Sequence, residues 1–255
     1  MPVATPVFDL SHIYKLSPET EDLRVYEKGQ IIIEEDNGKL FPPSMTPDMG
    51  IGTCLLNERP REWRCNRANV NGAVGAVVIA IQFYRHHNYI ANELHELNPC
   101  WDDERLYYTA RDINIAVFTQ IYFYELLPIL LGKENMIKHG IISDSDGFRD
   151  MYDEDVLPQM TDEYHYALRW FHVIQEADIK MYDNDGYYLN TIPMVNVSLR
   201  TGFLPHDENL EKMTQGSFRQ YGGGFDHIID NDVSNKTVSH RLNKIRIKYS
   251  CINLT

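Results

Sequence analysis

The stretch that decides the fold is residues 160–183, which read Met-Thr-Asp-Glu-Tyr-His-Tyr-Ala-Leu-Arg-Trp-Phe-His-Val-Ile-Gln-Glu-Ala-Asp-Ile-Lys-Met-Tyr-Asp. Pro158 precedes it, Thr161 is a residue type that caps helix N-termini, and two acidic side chains fill the first turn. Mostly apolar residues then recur at three- and four-residue steps, at Tyr164, Leu168, Phe171, Ile174 and Gln175. The pattern predicts a helix with one mostly apolar face.

Two side chains on this predicted helix can carry chemistry. Arg169 and His172 are three residues apart, so they share a helical face. A neutral imidazole can bind haem iron, and a planar guanidinium matches a haem propionate. The alternative is a core histidine bonded to a backbone carbonyl, with Arg169 extending to solvent, and this is the commoner arrangement in proteins. Residue types alone leave both interpretations open.

Several segments resemble motifs of the animal haem peroxidases, in the family's order. Leu-Arg-Trp-Phe-His at 168–172 is similar to F-R-[FY]-G-H, and Tyr-Asp-Glu-Asp-Val-Leu-Pro at 152–158 is similar to Y-D-P-x-V-x-P. Upstream, 84–91 resembles L-R-E-H-N-R-I-A, 97–106 resembles L-N-P-x-W-D-D-E-R-L, and 124–132 resembles Y-x-x-x-L-P-x-L-L-G. The resemblance covers roughly Asp9 to Asp230.

The resemblance implies a fold, a cofactor and a reaction. It implies a mainly α architecture of long helices with little β, with a peroxidase domain over 1–230 and a divergent tail over 231–255. His172 corresponds to the proximal axial ligand of the iron of haem b, and Arg169 to the residue beside a propionate. The implied activity is reduction of hydrogen peroxide coupled to oxidation of a small phenolic or tyrosine-like electron donor.

The sequence departs from the family pattern most between Cys65 and Gly75. Relatives carry a G-D-x-R-x-x-E pattern whose arginine polarises the peroxide bond and whose glutamate can form an ester to haem. Registered on Gly75, Asn69 occupies the arginine position and Gly72 the glutamate position. Arg67 is the nearest guanidinium, displaced by two residues, and a surface arginine is the commoner interpretation of it.

Other family segments have no counterpart in this sequence. They are the distal histidine with its calcium loop, and the downstream asparagine that orients the proximal histidine. Their absence, with Asn69 and Gly72, raises an alternative: a non-catalytic peroxidase-like protein of adhesion or the extracellular matrix. The resemblance also implies secretion and a Cys54–Cys65 disulfide, although the amino terminus shows no signal peptide.

Composition limits the partners. The formal net charge is −13, which argues against nucleic acid and anionic membranes. No apolar run is long and uncharged enough to predict a membrane span.

Periodicity outside residues 160–183 predicts two further long helices and a little β structure. The first helix runs over 74–97, and its adjacent His86 and His87 raise a weaker alternative of a metal site. The second helix is capped by Asp102, reaches about Leu131 and is kinked or ended by Pro128. Its predicted buried face comprises Leu106, Ala110, Ile113, Val117, Ile121 and Tyr124. Short strands are predicted over 24–35, followed by a turn at 36–38.

Overall fold

The computed structural model describes residues 8–14, 23–44, 54, 65, 71–144, 147, 153–156, 162–163 and 176–223. These residues are mainly helical with two small β-hairpins, which confirms the predicted fold class. The chain divides into two compact units: unit 1 comprises Met1–Ile32 and Phe83–Thr161, and unit 2 comprises Ile33–Gln82 and Asp162–Thr255.

The described helices of unit 1 include both predicted long helices and two short ones, Ser11–Tyr14 and Lys133–Lys138, that were not predicted from the sequence. They are α1 (Ser11–Tyr14), the larger part of α2 (Val74–Leu97), α3 (Asp103–Ile121), α4 (Leu127–Leu131) and α5 (Lys133–Lys138). The predicted range of α2 is confirmed. The Asp102 carboxylate accepts a hydrogen bond from the backbone N–H of Arg105 at 2.8 Å, so the predicted cap of α3 is also confirmed.

Pro128 changes the helix without ending it. Between α3 and α4 the backbone is π-helical over Tyr122–Leu126, where the N–H of Leu127 bonds to the carbonyl of Tyr122. A proline inside an α-helix removes one N–H bond and crowds the carbonyl four residues earlier. The wider π-helical turn accommodates both effects, so the helix continues to Leu131.

Of the six residues in the predicted buried face of the second long helix, only two are buried. Leu106 and Ala110 are buried, but Ile113, Ile121 and Tyr124 are 38%, 41% and 46% exposed. No residue of this helical stretch after Asn114 is buried among the residues that the structure describes. Apolar periodicity identifies which face of a helix is apolar, but it does not show whether another element covers that face.

The same stretch contradicts the prediction that no apolar run is long and uncharged enough to span a membrane. By length and composition alone, Asp103–Leu131 is long and apolar enough to cross a bilayer. One such helix is a weak indication, because core helices of soluble proteins meet the same criterion.

Unit 2 contains the β structure. Its elements are β1 (Glu34–Asp36), β2 (Lys39–Phe41), β3 (Asp178–Tyr182), β4 (Tyr188–Pro193), α6 (Met194–Val197), a 3₁₀ turn (Thr201–Phe203) and α7 (Asn209–Ser217). Two antiparallel hairpins form, β1–β2 and β3–β4. The turn at Asn37-Gly38 is confirmed. The isoleucines of 31–33 make only an isolated bridge, between Ile31 and Arg24, and the first strand begins later, at Glu34.

The core of unit 2 joins the start of α2 to the second hairpin and α7. Its buried apolar residues include Phe41, Val77, Ile81, Ile179, Met181, Leu204, Leu210 and Met213. Helix α7 lies directly on β3, and a Cβ at Gly216 would overlap the carbonyl oxygen of Lys180. Only glycine therefore permits this close packing of helix on strand.

Candidate functional site

The structure brings together only part of the predicted site. His172, Arg169 and Arg67 lie outside the described residues, so their roles stay predictions. Cys54 and Cys65 are joined by a disulfide, with their Cα atoms 6.0 Å apart. Cys65 is buried, and its Sγ lies 3.7 Å from the carbonyl oxygen of Leu199.

Unit 2 contains a cavity of about 330 Å³ that opens to solvent. Its walls come from the first turns of α2, from β3 and from the end of α7. The apolar residues of the wall are Val74, Val78, Ile79, Ile179, Met194 and Met213. The volume is at the lower end of the range of small-molecule sites.

Backbone contacts fix the walls of this cavity. The Gln220 side chain accepts from the N–H of Lys180 at 2.9 Å and donates to the carbonyl of Asp178 at 2.6 Å, which ties the residues after α7 to β3. The N–H of Met194 bonds to the carbonyl of Ala177 at 2.6 Å. These hydrogen bonds hold the residues after α7 and the start of α6 against β3 and the residue that precedes it.

The charged groups that the described lining contributes to the cavity are all negative. Glu176 and Asp178 contribute two exposed carboxylates, and Ser217, Gln220 and Tyr221 contribute neutral polar groups. Among the described residues that line the cavity there is no lysine, arginine or histidine. The described residues that line the cavity therefore carry a net negative charge.

Unit 1 contains a buried polar network centred on His87. The imidazole is fully buried, and its Nε2 lies 3.0 Å from the carbonyl oxygen of Gly29. Because a carbonyl only accepts, Nε2 carries the proton, and Nδ1 accepts from the Tyr14 hydroxyl at 2.9 Å. Burial lowers the pKa of His87 to about 4, so the imidazole is neutral.

Asn114 extends the network and uses both ends of its amide. Its nitrogen donates to the Tyr14 hydroxyl at 2.7 Å and to the carbonyl of Phe83 at 3.0 Å. Its oxygen accepts from Nδ1 of His86 at 2.7 Å. No three His, Cys, Asp or Glu side chains are grouped to hold a metal ion anywhere in the described part of the chain. His86 and His87 are thus part of a satisfied polar core there, and the metal alternative has no support from the described residues.

Sequence reasoning missed the cavity and could have found part of it. The alternation of Asp178, Ile179, Lys180 and Met181 is a strand signal, and Ile179 and Met181 are buried as a strand would bury them. The other walls come from residues far away along the chain, whose proximity no local pattern reveals.

Comparison with known proteins gives one family. The model of the family described as animal haem peroxidase matches residues 1–255. A peroxidase of Drosophila melanogaster is 32% identical over 224 residues, covering 86% of this chain and 32% of that protein. Mouse lactoperoxidase is 32% identical over 226 residues, covering 83% of this chain and 30% of that protein. The chain spans about a third of the length of these relatives.

Solved structures of the same fold are similar to the chain. Peroxidase A from Dictyostelium discoideum superposes with a TM-score of 0.65 at 22% identity, covering 83% of this chain and 39% of that one. A fatty acid alpha-dioxygenase of Oryza sativa superposes with a TM-score of 0.60 at 18% identity, covering 85% and 38% of the two chains. At these identities the similarity shows the fold alone.

Proposed function

The chain belongs to the animal haem peroxidase family, and from this premise we propose that it acts as part of a haem peroxidase that reduces hydrogen peroxide and oxidises a small phenolic or tyrosine-like donor. The observation that carries the proposal is the family match, which extends over all 255 residues and includes the segment around His172. Haem, when bound, supplies the redox centre of this reaction.

Two residues are proposed to hold the haem. His172 supplies the axial imidazole, and Arg169, three residues earlier, pairs with a propionate. Glu176 follows His172 by four residues, and Val74 follows Gly72 by two; both residues line the cavity of unit 2. Both segments that the resemblance assigns to haem thus adjoin, along the chain, described residues of unit 2.

The described residues near these segments fit the approach of a flat apolar ring. Gly72, Ala73, Gly75 and Ala76 present small, exposed surfaces at the start of α2. A Cβ placed on Gly75 would meet nothing within 4 Å, so there is open space beside this turn. The iron ligand in this proposal is His172, which is assigned from the motif resemblance alone.

The proposal predicts that haem retention depends on His172. Titration of the purified chain with haemin should give a shifted Soret band, and His172→Ala should weaken binding at least about tenfold, because the iron loses its protein ligand. His139→Ala is the matched control, since His139 is an exposed histidine in the described part of the chain. A Soret band that is equally strong in His172→Ala would remove the site assignment.

A second prediction concerns how haem is attached. The residue at the ester-forming position is Gly72, which has no carboxylate. We therefore expect acidified butanone to extract all haem from the loaded and peroxide-treated chain, as measured by the absorbance left in the aqueous phase. Haem that stays with the protein through this extraction would show a covalent link through another residue and contradict the proposed register.

The non-catalytic alternative is favoured by one observation, the replacement of the distal arginine and glutamate by Asn69 and Gly72. It makes a different prediction about turnover. Oxidation of guaiacol by the haem-loaded chain above the rate of free haemin, and dependent on His172, would support the peroxidase. A rate equal to that of free haemin, with a normal Soret titration, would support the adhesion or matrix protein.

A further inference from the structure

The cavity of unit 2 has the properties of a site for an amphiphilic cation. Its interior wall is aliphatic and sulfur-containing, from Val78, Ile179, Met194 and Met213 among others. The face of one aromatic ring can pack against such a wall without burying an unpaired polar group. Its volume of about 330 Å³ suits a ligand with one ring and a short side chain.

The charge of the mouth selects among such ligands. Glu176 and Asp178 are both exposed, are separated by one residue that is buried, and lie on the same cavity. No described residue of the lining carries a positive charge, and the chain as a whole has a formal charge of −13. An anionic ligand would meet repulsion from both carboxylates, whereas an ammonium group would be attracted by both.

We propose that this cavity binds the electron donor, and that it selects a phenol whose side chain carries an ammonium group over a neutral or carboxylate-bearing phenol. The identification of the ligand as an electron donor rests on the proposed peroxidase function. The charge selectivity of the cavity does not depend on that function. The aromatic ring lies against the apolar wall, and the ammonium group lies at the mouth beside Glu176 and Asp178. Binding involves no covalent or redox step.

Three phenols of nearly equal shape test this directly. Tyramine carries an ammonium group, 4-ethylphenol is neutral, and 3-(4-hydroxyphenyl)propionate carries a carboxylate. Their dissociation constants are measured by titration calorimetry on the full chain at low salt, without haem or peroxide. Because exposed charge pairs are individually weak, we expect tyramine to bind about tenfold more tightly than the propionate, with 4-ethylphenol between them. The difference should shrink as salt is added.

Two sets of variants separate charge from shape. The double variant Glu176→Gln with Asp178→Asn should bring the three dissociation constants within about twofold of each other. Asp185→Asn is the matched control, since it removes a carboxylate from the exposed turn of the same hairpin, outside the cavity lining. Ile79→Trp should weaken all three ligands together, because Ile79 is 52% exposed and its enlargement fills the mouth without disturbing the core.

The outcomes are distinct. Equal binding of the propionate and tyramine by the unaltered chain, or an undiminished preference in the double variant, would overturn the proposal. Failure of the His172→Ala haem test would remove the peroxidase assignment and leave the charge preference of the cavity in place. The chain could also bind tyramine while oxidising guaiacol only at the rate of free haemin. That result would keep the charge-selective ligand site and remove its role as a donor site of a peroxidase.

Discussion

Replacement of Gly29 by alanine is expected to destabilise unit 1 by about 3–5 kcal/mol. Gly29 has φ +67°, where a side chain costs about 1–2 kcal/mol. A Cβ there would lie 2.5 Å from the backbone nitrogen of Tyr107 and 2.7 Å from the carbonyl carbon of Leu106. Both atoms belong to the backbone of α3, so they cannot move aside as the end of a side chain could, and overpacking adds about 1–3 kcal/mol.

The backbone N–H and carbonyl of Gly29 also form hydrogen bonds to α3 and α2. Its N–H donates to the Asp103 carboxylate at 2.7 Å, at the first residue of α3. Its carbonyl accepts from Nε2 of His87 on α2, and Asp103 in turn pairs with Arg24 at 2.8 Å. A displacement of Gly29 by a new methyl group would weaken all of these bonds together, and each buried bond lost costs about 1 kcal/mol or more.

Gly140→Ala is the matched control for this substitution. Gly140 lies in the same unit with φ +68°, but a Cβ there would meet nothing within 4 Å. It therefore carries the backbone strain without the overlap, and we expect a loss of about 1–2 kcal/mol. Urea unfolding followed by far-ultraviolet circular dichroism measures both variants. Equal losses at the two glycines would show that the overlap with α3 is relieved by a backbone shift.

Gly29 also shows which features of the fold cannot be predicted from the sequence. The range of α2 was predictable because apolar spacing, the small residues at its start and Asn98-Pro99 at its end agree along one continuous segment. The cap at Asp102 was predictable for the same reason. The sequence around Gly29 does not show that the backbone of α3 occupies the space where a Cβ would lie. Helix α3 begins more than 70 residues later in the chain.

The exposed half of the second long helix shows the same limit of local sequence patterns, here for residues that were predicted to be buried and are not. Ile113, Ile121 and Tyr124 are correctly spaced for an apolar face, yet the described residues do not cover them. Local spacing predicts the helix, while burial depends on which distant elements are present. For the site, the assignment of His172 and Arg169 came from motif resemblance, and the cavity, whose walls extend from Val74 to Gly222, required the fold.

Acidification is expected to destabilise the chain through His87. The folded state holds its imidazole neutral, because burial lowers its pKa to about 4, and the carbonyl of Gly29 only partly opposes this effect. In the unfolded chain the pKa returns to about 6.5. The unfolded state therefore binds the proton first. The stability contributed by neutral His87 is complete above pH 6.5 and is lost, by about 3 kcal/mol, as the pH falls to 4.

Among the causes that act on the pKa of His87, only the hydrogen bond to the carbonyl of Gly29 favours a positive charge. The imidazole contacts the Tyr14 and Tyr107 rings at centroid distances of 5.4 Å each, and its neighbour His86 lowers its pKa further. Protonation would also leave the Tyr14 hydroxyl, which donates to Nδ1, facing an N–H donor. Burial lowers the pKa of His12 on α1 as well, so His12 adds a smaller contribution of the same sign.

The measurement is the free energy of unfolding in urea at several pH values between 7 and 4. His87→Gln removes the titrating ring, so its stability should fall by about 3 kcal/mol less than that of the unaltered chain over this range, whatever its absolute stability at pH 7. His139→Gln, at an exposed histidine, should keep the full pH dependence. If His87→Gln and the unaltered chain lose stability in parallel, the buried network does not set the acid sensitivity. In that case the carboxylates, which exceed the basic residues by 37 to 24, are responsible for it.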